Sequence, residues 1–356
     1  MKKRIYICHT FYHVYIACLK ELKLNIMPSP EATILLSTMS NDFGDIKERL
    51  GSSGLFEAVF EYDERPESFF PELKKYHTDR GNLLFNMINR IIFTKKLGKA
   101  QIPFLPIDFR NYENIYVFCD SDPIGYYLNY AKIYYHALED GLNCLEHYDT
   151  ARFDNRGNFR LKAWMSAKNL IFIQNGYGKY CLDMEVNDIS VLKYPCAKYI
   201  EMPREELVKD LDERAKGILL EIFVADIETL KAKLDLSVAK VLILSEPLCD
   251  LETRKRIFSD IIDQYGQLDK KTAIIIKPHP RDEIDYMKIF PRHIVLDGMF
   301  PMEILNYIPN LSFDRVVSVF TVPDAIKFAK EIIFLGKDFM DKYEDPLIHR
   351  QNEQIN

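Results

Sequence analysis

The chain has 356 residues, of which 47% are hydrophobic, and a formal net charge of −6. This length predicts two domains, and 14 glycines are too few for a linker-rich or disordered protein. The acidic balance excludes general nucleic-acid binding, which requires a basic surface.

Targeting and redox signals are also weak. The opening segment "MKKRIYICHTFYHVY" has polar interruptions and no small-residue cleavage site, so no secretory signal is expected. No apolar run reaches the roughly 18 residues that a membrane span needs. The seven cysteines form no CxxC pair, which predicts neither a zinc site nor a disulfide framework. A reducing, cytoplasmic location is expected.

In the first half of the chain, short apolar runs alternate with helical patterns. Strands are predicted at 4–8, 31–37, 114–119, 132–138 and 170–174, with helices at 11–22, at 45–50 and from Pro123 onward. Strands separated by helices form parallel, doubly wound sheets. The first half is therefore predicted to be Rossmann-like.

The composition then changes, and a second series of the same kind follows. Residues 203–236 are charged and helical, which is typical of a connector. Beyond them, strands are predicted at 240–245, 272–277, 293–297, 315–320 and 331–336, with a helix in "PDAIKFAK" at 323–330. Two Rossmann-like halves joined by a helical segment form the α/β architecture called GT-B. The predicted domains are 1–202 and 237–356, with the connector at 203–236.

Polar residues follow most of the predicted strands. Ligands of open α/β sheets bind beyond the carboxyl ends of the strands. The residues at these positions are His9, Thr10, Asp120, Asp122, Glu139, Asp140, Gly141, Ser245, Glu246, His279, Ser318 and Thr321. They are expected on one edge of each half, and two such edges facing each other predict an interdomain cleft.

The segment "IIIKPHPRDE" ends a strand in His279, which lies between two prolines. Each proline fixes its own backbone and extends the residue before it, so the imidazole is held on a stiff support. Lys277 and Arg281 add positive charge that suits an anionic ligand. The chain has no GxGxxG and no P-loop motif.

Two further motifs allow more than one interpretation. Ser318 and Thr321 precede a predicted helix start, which suits either a phosphate or ordinary helix capping. Asp120 and Asp122 form a "DSD" that could bind a metal ion. Because Asp122 precedes Pro123, we interpret it as a helix cap and predict no metal site.

Five short motifs together resemble a known family. They are "ICHT" (7–10), "YHALEDG" (135–141), "IIKPHP" (275–280), "FPMEIL" (300–305) and "SVFT" (318–321). In this order they are similar to the bacterial sialyltransferases of glycosyltransferase family 52, which act on lipooligosaccharide and capsule. The resemblance implies a GT-B fold, CMP-sialic acid as donor and a glycan acceptor that can be lipid-linked. It also implies inversion at the anomeric carbon and no metal or other cofactor.

The resemblance also implies residue roles. His279 faces the donor phosphate, Ser318 and Thr321 hold that phosphate, and Glu303 accepts hydrogen bonds from the ribose. The other residues expected on the donor side are Lys277, Pro278, Arg281 and Ser245. Asp140 is the general base, with Glu246 and Asp250 as competing candidates. The residues expected on the acceptor side are Thr10, His13, Glu139 and Gly141. Many relatives have a Pro and a Gln where this chain has "TFYH" (10–13).

Alternative functions and partners stay open at this point. One is a GT-B transferase with a CDP-glycerol or UDP-sugar donor, and another is a non-catalytic protein that binds a glycan or a nucleotide. The segment 82–106 mixes large apolar residues with four cations, which is typical either of an interfacial helix on anionic lipid or of a helix packed on the first sheet. Peripheral contact with the inner face of the membrane and a homodimer are the remaining partner hypotheses.

Overall fold

The structure is a computed structural model that describes residues 2–24, 30–118, 120–141, 144–147, 157–192, 196–268, 271–321 and 323–345. The chain divides into an N-terminal unit, residues 1–210 with 352–356, and a C-terminal unit, residues 211–351. The predicted connector contributes one helix to the first unit and two helices to the second. Cys119, which ends the predicted strand 114–119, and residues 346–356 of the predicted second domain lie outside the described residues.

The described part of the N-terminal unit contains a parallel sheet of seven strands. They are β1 (Lys2–Cys8), β2 (Ala32–Ser37), β3 (Ala58–Tyr62), β4 (Tyr112–Phe118), β5 (Tyr135–Leu138), β6 (Cys181–Val186) and β7 (Tyr199–Glu201). Their spatial order is β3-β2-β1-β4-β5-β6-β7, and each pair is parallel. Helices on both faces bury the central strands, so Ile5 and Tyr6, which point to opposite faces of β1, are both buried.

The helices of this unit connect the strands. They are α1 (Phe11–Leu24), α2 (Ile46–Ser52), α3 (Leu83–Ala100), α4 (Pro123–Ala131), α5 (Cys144–His147), α6 (Phe159–Ala167) and α7 (Arg204–Val208). Helix α4 begins at Pro123, as predicted, and its C-cap Lys132 adopts a left-handed conformation with φ of 57°.

The described part of the C-terminal unit contains a smaller parallel sheet. Its strands are β8 (Lys240–Leu244), β9 (Ala273–Lys277), β10 (Ile294–Val295), β11 (Phe313–Ser318) and β12 (Ala329–Phe334), in the order β10-β9-β8-β11-β12. Its helices are α8 (Glu213–Phe223), α9 (Ile227–Leu234), α10 (Leu251–Tyr265), α11 (Tyr286–Ile289) and α12 (Gly336–Met340). Both sheets place the first strand of the unit at the switch point, which is the Rossmann arrangement. The predicted pair of Rossmann-like units is confirmed.

Two predicted elements are wrong. In the predicted strand 170–174, residues 171–174 are buried but no strand forms, and β5 pairs with β4 and with β6, which begins at Cys181. The predicted helix 323–330 is a single 3-10 turn at Pro323–Ala325, because Ala329 and the residues after it pair with β11 from Phe313 onward. Strand pairing outweighs the helical propensity of this short segment.

One long helix of the N-terminal unit is docked over only part of its length. The second half of α3 packs on α4, where Phe93 and Leu97 join a buried cluster with Tyr126. A Cβ on Gly98 would lie 2.6 Å from the carbonyl oxygen of Tyr126, so only glycine permits this approach. Among the described residues, no helix is both long enough and apolar enough to cross a membrane.

Candidate active site

In the N-terminal unit, His13 and Asp140 meet although 127 residues separate them. His13 lies in the first turn of α1 and Asp140 follows β5. Nδ1 of His13 accepts the backbone N–H of His9 at 3.0 Å, so the proton of the neutral ring is on Nε2 and is donated to Oδ1 of Asp140. Burial lowers the pKa of His13, which favours this neutral form. The Asp140 side chain remains 48% exposed, so a carboxylate oriented by a neutral histidine is accessible to a ligand.

The residue at the end of β1, His9, is linked to a carboxylate that the sequence analysis missed. Nε2 of His9 lies 2.7 Å from Oε2 of Glu64 and 3.4 Å from Oδ2 of Asp122. Burial lowers the pKa of His9, but the Asp122 and Glu64 carboxylates outweigh it and raise the pKa to about 9. His9 is therefore a buried cation at neutral pH.

Glu64 also replaces the predicted cap of α4. Asp122 occupies the N-cap position without a side-chain cap hydrogen bond, which contradicts our prediction. The backbone N–H of Ile124 is instead accepted by Oε1 of Glu64 at 2.6 Å, and Ser37 donates to Oε2 at 2.8 Å. One carboxylate thus joins β1, β2 and the start of α4.

Asp120, the other acid of the "DSD", is buried, and both of its carboxylate oxygens accept hydrogen bonds from the protein. Its carboxylate accepts the hydroxyl of Tyr135 at 2.9 Å and the backbone N–H of Asn175 at 2.5 Å. Burial raises its pKa, and these hydrogen bonds oppose the rise. Asp120 holds the turn that precedes β6. The described residues contain no group of three His, Cys, Asp or Glu side chains placed to bind a metal ion.

The remaining acceptor-side candidates contact mainly the backbone. The Glu139 carboxylate is buried and accepts the N–H groups of Asn187, at 2.7 Å, and Leu145, at 3.3 Å. Thr10 accepts the N–H of His13 through its hydroxyl at 3.2 Å, and the carbonyl of Gly141 accepts the N–H of Cys144 at 3.3 Å. Asp140 is thus the accessible carboxylate of the "EDG" turn.

In the C-terminal unit, His279 follows β9 on a tightly bonded loop. Its Nδ1 accepts the backbone N–H of Arg281 at 3.1 Å, so the neutral ring carries its proton on Nε2. Burial and the neighbouring Arg281 and Lys277 charges lower the pKa of His279 to about 4. The ring therefore presents a neutral Nε2–H, for which the described residues supply no acceptor.

The loop of His279 is fixed by a buried hub, Asp282, which sequence analysis did not identify. Its carboxylate accepts Ser245 Oγ at 2.8 Å, Tyr286 Oη at 2.7 Å and Arg254 Nη1 at 2.7 Å. Ser245 in turn accepts the backbone N–H of His279 at 3.0 Å. Ser245, predicted on the donor side, therefore positions His279 through the main chain.

Glu246 binds the turn after β11. Its carboxylate accepts the N–H groups of Phe320 and Thr321, at 2.9 and 2.8 Å, and the hydroxyl of Thr321 at 2.8 Å. Burial raises its pKa and these hydrogen bonds oppose the rise. Ser318 is buried and donates to the carbonyl of Thr321 at 3.1 Å. Because residues 323–330 form no helix, the predicted phosphate site at a helix N-terminus is wrong in that detail.

Asp250, the third candidate base, caps α10. Its carboxylate accepts the N–H groups of Glu252 and Thr253, both at 3.0 Å, and the Thr253 hydroxyl at 2.7 Å. These contacts hold its pKa below the usual range.

Lys277 and Glu303 lie near each other beside the loop after β10. Nζ of Lys277 donates to the carbonyls of Pro278, at 2.8 Å, and Gly298, at 3.2 Å, and lies 4.3 Å from the centre of the Phe300 ring. Burial lowers the pKa of Lys277 to about 7 and raises the pKa of Glu303 to about 7. Arg281, in contrast, extends an exposed side chain from the same loop as His279.

The comparisons with known proteins identify the class. The family model described as glycosyltransferase family 52 matches residues 79–324, well over half of the chain. The chain belongs to glycosyltransferase family 52. An uncharacterized protein of Haemophilus influenzae is 36% identical over 89 residues, which span 25% of this chain and 27% of that relative.

Three solved structures share the fold at 12% sequence identity. The alpha/beta-galactoside alpha-2,3-sialyltransferase of Photobacterium phosphoreum has a TM-score of 0.52 over 93% of this chain and 90% of its own. The GT-B domain of a Photobacterium damselae sialyltransferase has a TM-score of 0.51 over 100% of this chain and 97% of its own. The 2,6-sialyltransferase of Photobacterium sp. JT-ISH-224 was solved with the donor product CMP and the acceptor substrate lactose. It has a TM-score of 0.54 over 93% of this chain and 71% of its own. The predicted GT-B fold is confirmed.

Proposed function

We propose that the protein transfers sialic acid from CMP-sialic acid to a hydroxyl, expected to be on galactose, of a surface glycan such as lipooligosaccharide or capsule. The observation that carries the proposal is the neutral Nε2–H of His279, held on a loop pinned by Asp282. Family membership and a fold shared with a sialyltransferase that binds CMP and lactose support it.

His279 suits the departure of CMP. As the bond between the anomeric carbon and the phosphate oxygen breaks, negative charge grows on the phosphate, and a fixed N–H donor stabilises it. A neutral donor avoids a permanent ion pair with the donor substrate, so its contribution grows as the charge develops. The exposed Arg281 adds positive charge on the same loop.

Asp140 is our proposed general base. The acceptor oxygen attacks the anomeric carbon while its proton passes to the carboxylate, which inverts the configuration in one displacement. His13 donates to Oδ1 and so orients the carboxylate. Glu246 and Asp250 are less suited because backbone N–H groups already occupy their oxygens.

Two donor-side roles remain in the proposal. Glu303, with a pKa raised by burial to about 7, would hydrogen-bond the ribose hydroxyls, and Lys277 would keep it partly ionised. Ser318 and Thr321 would approach the phosphate from the turn that Glu246 holds.

Nucleotide specificity tests the donor. We expect CMP to raise the melting temperature more than CDP or UDP, since stabilisation follows RT ln(1 + [L]/Kd). His279→Ala should remove most of the CMP effect, whereas His293→Ala, a control on another loop of the same unit, should retain it. Transfer from CMP-sialic acid to lactose then tests the reaction. Stabilisation by UDP or CDP but not by CMP would favour a different activated donor. Nucleotide binding without any transfer of sialic acid would favour a non-catalytic binding protein.

A further inference from the structure

Helices α3 and α6 of the N-terminal unit carry an exposed apolar face that the proposed reaction does not use. Its large side chains are Leu83, Leu84, Phe85, Ile88, Leu161 and Trp164, with Leu84 67% and Trp164 55% exposed. The two helices are neighbours, because Met87 and Ile91 of α3 pack on the same small cluster as Met165 of α6. Scattered apolar residues need no explanation, but six on two adjoining helices indicate a binding surface.

The charges of these helices all have one sign. Across Leu83–Ala100 and Phe159–Ala167 there are six cations and no acidic residue, although the whole chain has a net charge of −6. The cations are Arg90, Lys95, Lys96, Lys99, Arg160 and Lys162. The described partner of Lys95 Nζ is the neutral carbonyl of Asn169, so this hydrogen bond leaves the local charge positive.

This combination of charge and apolar surface narrows the identity of the partner. In a twofold-symmetric dimer the same patch meets itself, so the cations of the two copies would repel each other. An anionic membrane surface attracts the cations and accepts Leu, Phe and Trp side chains at its interface. On such a surface the helices would lie flat, because no described helix is long and apolar enough to span a membrane.

The docking of α3 gives the contact its geometry. The second half of the helix is anchored to α4 by Phe93, Leu97 and Gly98. In the first two turns Met87 packs on the cluster with α6, and the other large apolar side chains are exposed. We propose that the apolar face of α3 and α6 is a peripheral docking surface for anionic lipid, with the first turns of α3 inserted among the headgroups. The contact would hold the enzyme where a lipid-linked acceptor is displayed, but it does not depend on the donor proposed above.

Vesicle flotation of the full chain tests this surface without reference to transfer activity. We expect strong recovery with vesicles containing about 30% phosphatidylglycerol and little with phosphatidylcholine alone. The double variant Leu84→Glu, Phe85→Glu should weaken vesicle binding at least about tenfold. It removes apolar side chains that the membrane would bury, and the new carboxylates are repelled by the anionic headgroups. Met287→Glu is the matched control, since that side chain is 68% exposed on a helix of the other unit.

A set of charge-neutralising variants provides a second test of vesicle binding. Neutralising Lys96 and Lys99 to Gln should weaken binding by about fivefold per lysine, and the loss should shrink at high salt. Lys209→Gln with Lys233→Gln, two exposed lysines elsewhere, should leave binding unchanged. Melting temperatures of all variants confirm that they fold.

The outcomes separate the alternatives. Equal recovery with neutral and anionic vesicles, or unchanged binding of the Leu84→Glu, Phe85→Glu variant, would overturn the proposal. So would sedimentation showing that this variant converts a dimer to a monomer while the wild type ignores vesicles, because the face would then be an interface between copies. Since CMP stabilisation is measured separately, failure of the membrane proposal leaves the transferase proposal intact.

Discussion

The two Rossmann-like units present histidines in the same chemical form but for different uses. In each, Nδ1 accepts a backbone N–H, from His9 to His13 and from Arg281 to His279, so Nε2 carries the proton. His13 donates that proton to Asp140 of its own unit. His279 has no acceptor among the described residues. A backbone hydrogen bond therefore fixes the tautomer, and the neighbour of Nε2 decides whether the ring donates to a carboxylate of its own unit or keeps its proton available.

In both units most of the site carboxylates bind several protein donors, as Glu64 and Asp120 do in the N-terminal unit, and Asp140 is the exception. In the C-terminal unit, Glu246, Asp250 and Asp282 each bind several protein donors and stabilise loops. In the N-terminal unit, Asp140 is half-exposed and Oδ1 contacts the His13 ring. The N-terminal unit thus has an accessible carboxylate, and the C-terminal unit has a histidine Nε2–H without an acceptor among the described residues.

The largest expected effect follows from changing Asp140, the accessible carboxylate of the N-terminal unit. Asp140→Asn keeps the shape of the side chain but removes proton acceptance, so kcat should fall by roughly 10²-fold or more while the KM for the donor changes little. Asp183→Asn is the matched control, because Asp183 also binds a histidine, His136, at 2.8 Å. Steady-state kinetics measure both. If Asp140→Asn retains normal kcat and Glu246→Gln or Asp250→Asn is inactive, the base belongs to the C-terminal unit.

The next effect concerns the loop that holds His279. Asp282→Ala leaves the buried Arg254 guanidinium without its carboxylate and frees Ser245, so the free energy of unfolding should fall by about 3–5 kcal/mol. Urea denaturation measures the change. Asp285→Ala, which removes only the exposed cap of α11, should cost about 1 kcal/mol. Equal losses in the two variants would mean that Asp282 is not the hub of this loop.

Much of the fold follows from the sequence because parallel strands covered on both faces are continuous apolar runs. Residues 240–244 and 273–277 were predicted almost to the residue for this reason. The same signal failed at 170–174, where residues 171–174 are buried without strand pairing. The helix prediction at 323–330 failed because β12 pairs with β11, and local helical propensity carries no information about this non-local interaction.

The candidate site divides in the same way. The strand ends predicted positions for polar site residues, but not which of them protein donors would occupy. Glu64 contacts His9 across 55 residues, and Ser245 contacts Asp282 across 37. Such partners lack a local pattern, so a single sequence could not reveal them. The prolines around His279 were the available signal for a fixed ring, and Asp282, three residues later, completes that loop.

The contributions of His9 and His279 to the pH dependence of stability should have opposite signs. The pKa of His9 rises from 6.5 to about 9 on folding, so its stabilising effect is complete below pH 6.5 and is lost as the pH rises through 9. The pKa of His279 falls from 6.5 to about 4, so its effect is complete above pH 6.5 and is lost as the pH falls through 4. For the fully buried His9 the loss should be on the order of 3 kcal/mol.

Calorimetry across this pH range tests these signs. His9→Gln should flatten the decline in stability between pH 6.5 and 9, and His279→Gln should flatten the decline between pH 6.5 and 4. Each variant serves as the control for the other. If both variants alter the same side of the profile, the two histidines do not differ in the way that their neighbours predict.

Removal of metal ions should have the smallest effect, and it tests whether the "DSD" of the N-terminal unit is structural. Asp120 accepts hydrogen bonds from Tyr135 and Asn175, and Asp122 lies 3.4 Å from His9, which the raised pKa keeps cationic at neutral pH. A metal ion would have to displace these donors and approach a buried positive charge. Transfer activity should therefore be unchanged in EDTA, measured against the same enzyme with added Mg²⁺ or Mn²⁺. Loss of activity in EDTA, restored by either ion in the wild type but not in Asp122→Asn, would make the pair metal ligands and remove the proposed reliance on His279 for the phosphate charge.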